Sequence, residues 1–167
     1  MMTRTYAGQL CAVARALEVV GERWTLLIIR SALLGVTRFE GFRQSLGIPR
    51  NVLASRLNLL VDHGLLERVA YQQRPVRYEY LLIEQGRELA TVIVALLDWG
   101  NKYCVDDLPG PPLHVLHDGC DGHVRAELVC EHCGQAVGPG ETAAVRAPWR
   151  QGGDGPWPPA GPSDRVP

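Results

Sequence analysis

Long apolar runs are missing from this sequence of 167 residues. None approaches the roughly 18 residues that a bilayer-spanning helix requires. The N-terminal segment also lacks the continuous apolar stretch of a secretory signal, because Arg15, Glu18 and Glu22 interrupt it. We therefore expect a cytoplasmic protein that neither spans a membrane nor is exported.

Cysteine is too scarce, and its number too odd, for a disulfide framework: the chain has five. Without an export signal the expected compartment is reducing, where cysteines more often bind metals or react as thiols. No pairing of a nucleophile with a base and no phosphate-binding loop is recognisable, so we expect no enzyme. Apolar content of 46% and charged content of 21% are typical of a globular protein.

Lysine is nearly absent, since Lys102 is the single lysine among seventeen basic residues. Thirteen basic and nine acidic residues precede Asp106, a net charge of +4, whereas four basic and nine acidic residues follow from there, a net charge of −5. Arginine suits bidentate contact with phosphate or guanine. The asymmetry indicates an anionic partner for the first part of the chain.

Apolar spacing predicts four helices before residue 65. The first ends near Gly21, and the second, "RWTLLIIRSALLG", is apolar on nearly every side and closed by Gly35. Phe39, Phe42 and Leu46 form the stripe of a third helix, followed by a tight turn at residues 47–49. A fourth helix with apolar residues from Val52 to Val61 ends at Gly64. The third and fourth helices make a helix-turn-helix candidate.

The hydrophobic period then changes to about two, in two short extended runs around Pro75. A hairpin directly after a helix-turn-helix is typical of the wing of a winged helix. After Gly86 we expect one last long helix, whose apolar side packs within the chain or, as we favour, forms a dimer interface. That side comprises Leu89, Val92, Ile93, Leu96, Leu97 and Trp99.

Exposed polar residues of these elements are the DNA-contact candidates. Arg50 and Asn51 open the fourth helix and suit guanine and adenine edges in the major groove. Ser55 and Arg56 are candidates for bases or phosphates. In the wing, Arg74 and Arg77 flank Pro75 and suit a phosphate or the minor groove. Candidates for the DNA backbone are Arg38 and Arg43. The alternative is that these arginines only solvate helix faces.

Residues 11 to about 103 resemble the HxlR-type winged-helix transcriptional regulators of bacteria. The resemblance is carried by "ALEVVGERWTLLIIRSALLGVTRFEGFRQSLGIPRNVLASRLNLLVDHGLLER", "RPVRYEYLLIEQGREL" and "LDWG". It implies a homodimer built on the N-terminal and C-terminal helices of the domain, bound to double-stranded, pseudo-palindromic operator DNA. It also implies regulation, most often repression, that responds to a redox, electrophile or metabolite signal.

Cys11 falls where redox-sensing members of that family carry a reactive thiol near the start of the first helix. Arg15, one turn later, would favour the thiolate. The usual Cys-Pro pair is Cys11-Ala12 here, however, and no second cysteine lies within the winged helix. The alternative is a partly buried helix residue, which is common for free cysteine.

The stretch "HDGCDGHVRAELVCEHCG" carries two ligand pairs of zinc-knuckle spacing. The first knuckle is His117–Cys120 and the second is Cys130–Cys133, with Gly122 and Gly134 just beyond them. Four such ligands predict a closed, structural Zn²⁺ site. A thioredoxin-type redox pair and a regulatory zinc site are the alternatives. His117 is the least certain ligand, because nearby histidines could replace it: His114, His123 and His132.

These patterns predict an α+β, mainly α, fold, in which a winged helix-turn-helix domain precedes a small zinc-bound β-hairpin. We expect the DNA-binding and dimerisation domain at 1–105, a Pro-rich linker at 106–116, the zinc-binding hairpin at 117–147 and a disordered tail at 148–167. Thirteen of the last thirty residues are Gly or Pro. No internal repeat is evident. The alternative function is a winged-helix protein-interaction module that docks through the zinc hairpin.

Overall fold

A computed structural model describes Tyr6, residues 11–138 and residues 140–143. The predicted tail at 148–167 lies outside these residues. The chain divides between Ala126 and Glu127 into two compact units. The boundaries proposed from sequence, at 105, 116 and 147, remain predictions. The first unit contains all helices and strands of the described residues: α1 (Ala12–Val20), α2 (Thr25–Leu33), α3 (Phe39–Leu46), α4 (Arg50–Asp62), β1 (Leu66–Gln73), β2 (Val76–Leu82), α5 (Glu84–Arg87) and α6 (Ala90–Tyr103).

Two of the predicted helices end at the expected glycines. The amide of Gly21 donates to the carbonyl of Leu17 at 2.8 Å and closes α1. α2 is followed by Gly35, which has a φ of +87°, a conformation that glycine adopts without steric cost. Ile28 and Ile29 of α2 are fully buried, in agreement with the apolar pattern of that helix.

The helix-turn-helix consists of α3, a three-residue turn and α4. Gly47 has a φ of +62° and caps α3 in the left-handed conformation. Ile48 is buried and anchors the turn, and Pro49 precedes the first turn of α4, where a proline costs no hydrogen bond. The turn is thus held by one apolar side chain between two residues of special backbone geometry.

The wing is the antiparallel pair of β1 and β2, in which Leu66 faces Leu82 and Gln73 faces Val76. A register shift between Ala70 and Gln72 leaves Tyr71 without a partner across the pair, as in a β-bulge. The amide of Tyr80 donates to the carbonyl of Thr37 at 2.8 Å. This bond ties the start of the helix-turn-helix to the second strand of the wing.

The long helix predicted after Gly86 is α6, whereas the short α5 before it, which contains Gly86, was not predicted. Glu88 and Leu89 lie between them in a turn. Gly86 in α5 is buried, and a Cβ there would lie 2.1 Å from the carbonyl oxygen of Leu65. The close approach of α5 to the start of the wing therefore requires glycine.

One apolar core supports this winged-helix-like fold, which is mainly helical with a two-stranded sheet. Fully burying a residue such as leucine or phenylalanine stabilises a fold by about 1.5–3 kcal/mol. By contrast, no residue of α6 is buried. The core residues are Ile28, Ile29, Phe42, Ile48, Leu53, Leu57, Leu60, Leu65, Leu66 and Tyr80.

Among the described residues, no helix is long and apolar enough to cross a membrane.

Candidate nucleic-acid interface

The exposed side of α4 carries short polar side chains at helical spacing. Asn51, Ser55 and Asn58 lie one or two turns apart and are all exposed; we call them the α4 polar face. Leu53, Leu57 and Leu60 on the opposite side are fully buried. Burial of the leucines therefore fixes which side of the second helix of the helix-turn-helix faces outward. Two of the sequence candidates, Asn51 and Ser55, lie on this face.

Arg50 lies at the start of α4 and contacts two residues of α3. Its Nη1 donates to Oε1 of Glu40 at 2.8 Å, and its guanidinium carbon lies 5.1 Å from the centre of the Phe39 ring. Arg43 donates from Nε to Oε2 of the same Glu40 at 2.7 Å. The hydrogen bond from Arg43 is the main reason, with the charges of Arg43 and Arg50, that the pKa of Glu40 lies below its usual value. Glu40 was not predicted from the sequence as a functional residue.

Arg38 and Arg56 are each engaged with the rest of the domain. Arg38 caps α3, donates from Nε to Oε1 of Glu79 at 3.0 Å and lies over the Tyr71 ring at 4.5 Å. Arg38 therefore connects α3 to the wing, and its side chain also lies at the surface of the domain. Arg56 is half-buried, and its Nη2 lies 3.9 Å from Oε2 of Glu22.

The tip of the wing holds Arg74 and Arg77, and both side chains are exposed. Gln72 donates from Nε2 to the carbonyl of Arg74 at 3.0 Å, which orders the backbone of the tip. In the part of the chain that the structure describes, neither arginine forms an ion pair. They are therefore available to an anionic partner without first leaving a carboxylate.

Cys11 directly precedes α1 and is half-buried. The amide of Arg15 donates to the Cys11 carbonyl at 3.1 Å, so the cysteine forms part of the first helical turn. This position agrees with the predicted one. Reactivity of its thiol remains a prediction.

Each knuckle folds into its own turn. In the first, the amide of His117 donates to the carbonyl of Gly122 and the amide of Asp121 donates to the carbonyl of His117, both at 2.9 Å. In the second, the equivalent bonds join Cys130 to Gln135 and Gly134 to Cys130, at 2.9 and 2.8 Å. The flanking bridges Leu116–His123 and Val129–Ala136 correspond in the same way. The backbone pattern thus repeats after thirteen residues, although no repeat was recognised in the sequence.

Two details of the knuckles differ from expectation. The left-handed residue of the first knuckle is Asp121, with a φ of 54°, whereas in the second it is Gly134, with a φ of 70°. Gly122 has another role, because a Cβ there would lie 3.2 Å from the Sγ of Cys120. The residues between the knuckles form no regular strand in the described chain, so two bridged turns stand where the sequence predicted the strands of one hairpin.

The donor atoms of each knuckle suit zinc chemistry. Nδ1 of His117 and Sγ of Cys120 lie 3.3 Å apart, close to the edge of about 3.6 Å in a tetrahedron with Zn–N near 2.0–2.1 Å and Zn–S near 2.3 Å. Hydrogen bonds from the backbone amides of Cys133 and His132 lower the pKa of the Cys130 thiol and favour the thiolate that zinc requires. Among residues 11–138 and 140–143, no group of three or more His, Cys, Asp or Glu side chains is assembled in a metal-binding arrangement. Zinc therefore remains a prediction.

The chain following α6 is held against that helix by two of its side chains. Oδ2 of Asp98 accepts a hydrogen bond from the amide of Ala126 at 2.9 Å. Nδ2 of Asn101 donates to the carbonyl of Leu113 at 3.0 Å. Residues 113–126, which include the first knuckle, are thereby attached to the C-terminal half of α6. These two contacts were not predicted from the sequence, because neither follows from a local pattern.

α6 also presents an apolar stripe to solvent. Four residues at helical spacing, between 43% and 58% exposed, make up this exposed α6 face: Val92, Leu96, Trp99 and Tyr103. Trp99 and Tyr103 contact each other, with ring centres 5.7 Å apart. α1 likewise exposes Val13 and Leu17. Apolar stripes of this kind are typical of interaction surfaces.

Comparison with known proteins places this domain in a family. The family model of the HxlR-like helix-turn-helix matches residues 19–107. The chain is 50% identical over 129 residues to the uncharacterized HTH-type transcriptional regulator Rv3095 of Mycobacterium tuberculosis, covering 75% of this chain and 79% of that one. It is 35% identical over 94 residues to the uncharacterized HTH-type transcriptional regulator YdeP of Bacillus subtilis, covering 56% and 73%.

Solved structures show the same similarity. That of PA1607, described as a candidate transcription factor, superposes with a TM-score of 0.72 at 34% identity, covering 83% of this chain and 96% of that chain. The redox regulator HypR in its reduced form superposes with a TM-score of 0.53 at 29% identity, covering 59% and 100%. With a family model matched over most of the winged helix and a relative at 50% identity, the chain belongs to the HxlR-like helix-turn-helix family.

Proposed function

We propose that this transcriptional regulator binds operator DNA as a homodimer, with α4 in the major groove and the wing on the neighbouring DNA backbone. The observation that carries the proposal is the α4 polar face. Asparagine and serine at the exposed side of the second helix of a helix-turn-helix suit hydrogen bonding to base edges.

The wing supplies the electrostatic part of the proposed interface. Arg74 and Arg77 are exposed at the tip and, within the described residues, have no acidic partner. Binding a phosphate therefore costs them no ion pair. Arg43 and Arg50 share the carboxylate of Glu40, so their contribution to DNA binding depends on that acid as well.

The exposed α6 face and the exposed residues of α1 favour the dimer. Two copies of α6 packed on their apolar stripes would bury Trp99 and Tyr103, the types of residue that most often dominate interfaces. A two-fold dimer would also present two copies of α4, which matches the pseudo-palindromic operators of helix-turn-helix dimers.

For the C-terminal extension, we propose a structural Zn²⁺ held by His117, Cys120, Cys130 and Cys133. The backbone equivalence of the knuckles supports this set, because His117 takes the place of Cys130 and Cys120 that of Cys133. His114, His123 and His132 have no such equivalence. When bound, zinc would stabilise a segment that has almost no apolar core of its own.

Cys11 is our proposed sensor of oxidants or electrophiles. Its support is its place at the start of α1, the helix whose exposed apolar residues we assign to the dimer. HypR is a redox regulator, which favours the same chemistry here. Modification of the thiol would alter the packing of α1 and, through the dimer, the spacing of the two α4 helices.

Salt titration of DNA binding tests the proposed function. If the protein neutralises about six to ten phosphates, its affinity for duplex DNA should fall about 10³–10⁵-fold between 50 and 200 mM salt. Fluorescence anisotropy with a labelled duplex would measure it. A protein-interaction module that docks through the extension would instead bind DNA weakly and with a shallow salt dependence, and that result would overturn the proposal.

A further inference from the structure

Glu40 is the acidic residue placed most centrally in the helix-turn-helix. Its two carboxylate oxygens bind different arginines: Oε2 accepts from Arg43 at 2.7 Å within α3, and Oε1 accepts from Arg50 at 2.8 Å across the turn. A carboxylate in this position repels DNA phosphates. Its presence in a DNA-binding surface therefore calls for a specific role.

Stability explains only part of this arrangement, since an acid in the first turn of α3 stabilises that helix modestly but needs no contact with Arg50 to do so. Glu40 and Arg43 are about half exposed and Arg50 is 74% exposed in its side chain, and ion pairs at such sites contribute little to folding. The structural core around them is already formed by Ile48 and Phe42. The consequence of the contacts is geometric, since they restrict the guanidinium of Arg50.

Arg50 is restrained from two directions. Glu40 holds it through Nη1, and Phe39 lies beneath the guanidinium at 5.1 Å from its central carbon. Phe39 itself packs against the core, so its ring is a fixed surface. An arginine has five N–H donors, and a guanine edge takes two of them. The contact with Glu40 therefore leaves enough donors for base recognition.

We propose that Glu40 is a specificity-determining positioning residue, which holds the guanidinium of Arg50 in the orientation that reads a guanine. This inference rests on the proposed DNA-binding function. Holding a flexible side chain in advance lowers the entropy lost on binding, but only for the base that matches the held orientation. Glu40 thus costs affinity for all DNA and increases discrimination at one base pair.

The test compares wild type with Glu40→Gln, which removes the charge and keeps the shape. Duplexes selected by the wild type from random DNA provide the probe. The base pair at which Arg50→Ala loses discrimination identifies the position that Arg50 reads. At that pair we expect Glu40→Gln to lower discrimination about two- to tenfold, while affinity for a scrambled duplex rises.

Two controls distinguish positioning from a general charge effect. Glu22→Gln removes an acid that lies 3.9 Å from Arg56, which is in α4 like Arg50. This variant should raise affinity for all duplexes without changing discrimination at the base pair that Arg50 reads. In the Arg50→Ala background, Glu40→Gln should have no further effect on discrimination. Circular dichroism melting would show that each variant folds.

Unchanged discrimination in Glu40→Gln would overturn the inference, and so would a loss of discrimination that is equal at every base pair. The inference would also fail if Glu40→Gln lowered discrimination as much in the Arg50→Ala background as in the wild type. The same outcome follows if Arg50→Ala affects no single base pair. A wild-type protein that selects no sequence from random DNA would overturn the proposed function itself, and with it this inference. Failure of the positioning role of Glu40 is thus distinguishable from failure of the proposed DNA-binding function.

Discussion

Arg74 at the tip of the wing is exposed and, in the described part of the chain, forms no ion pair. If it binds a phosphate, Arg74→Ala should reduce the slope of log affinity against log salt by about one unit and weaken binding to all duplexes similarly. Arg87→Ala is the control, because Arg87 lies in α5 and pairs with Glu84 at 3.5 Å. An unchanged slope in Arg74→Ala would show that the wing tip does not hold a phosphate.

Cys11 gives the second prediction for a single residue. Oxidant or quinone treatment should release wild-type protein from its selected duplex, whereas Cys11→Ser should stay bound, because the serine hydroxyl does not react in the same way. Cys104→Ser removes an exposed cysteine beyond α6 and should respond like the wild type. If Cys11→Ser is released as readily as wild type in an anisotropy assay, the thiol is not the sensor.

The sequence predicted where the functional residues lie along the chain better than which residues they contact. Periodicity and a glycine turn suffice to place Arg50 and Asn51 at the start of α4. The pairing of Arg50 with Glu40, ten residues earlier, depends on how the turn at Ile48 folds back. That contact is tertiary, so no local pattern contains it.

Among the elements, α5 is the most sensitive to a small change. Gly86→Ala would place a Cβ 2.1 Å from the Leu65 carbonyl oxygen, and neither atom can rotate away, because the backbone fixes the position of both. We expect a loss of about 1–3 kcal/mol in the free energy of unfolding. Chemical denaturation at one fixed protein concentration would measure it.

The matched control is Gly110→Ala, since nothing lies within 4 Å of the added Cβ there. It should change the free energy of unfolding by less than about 0.5 kcal/mol. Equal stability of the Gly86 and Gly110 variants would mean that α5 does not pack on the wing as described.

The two knuckles are the second prediction at the scale of elements. Freshly reduced wild type should contain about one zinc per chain by mass spectrometry, and Cys130→Ser much less, because a three-ligand site holds zinc weakly. His132→Gln changes a histidine of the second knuckle that is not a proposed ligand and should keep its zinc. Wild-type protein without metal would contradict the zinc site and leave the knuckle cysteines as free thiols.

Elements with a strong period were the most predictable. Helices α1 to α4 and the wing follow from apolar spacing and from glycines such as Gly47 and Gly64. The short α5 was not predicted, because its close packing on Leu65 through Gly86 is a tertiary contact that leaves no local pattern. The repeat of the knuckles was also not predicted, since it is clearest in the backbone and few residues besides the ligands correspond between the two sequences.

For the whole molecule, the central structural prediction is a dimer through the exposed α6 face. Leu96→Glu should raise the dimer dissociation constant at least about tenfold, because the symmetric interface would bury two unpaired carboxylates. Sedimentation over a range of concentrations would measure it. Leu34→Glu places the same charge on an exposed leucine after α2, and its dimer should be unaffected. A wild-type monomer at micromolar concentration would contradict this assembly.

Composition predicted the kind of partner that the molecule binds, but not how the segment after α6 is attached. The arginine-rich first part and the acidic remainder indicated an anionic partner for the first part, and family membership agrees with it. The attachment of residues 113–126 to Asp98 and Asn101 was hidden, because hydrogen bonds from side chain to backbone leave no periodic signal.

Selection from random duplex DNA by the purified protein is the most direct measurement of the central claim, that a dimer reads an operator through α4. We predict enrichment of an inverted repeat whose half-site centres lie about one helical turn of DNA, 10–10.5 base pairs, or a multiple of it, apart. The Asn51→Ala variant should lose preference at one position in each half-site, since asparagine reads adenine through two hydrogen bonds. Absence of any enriched sequence, or enrichment that survives loss of the α4 polar face, would contradict the account.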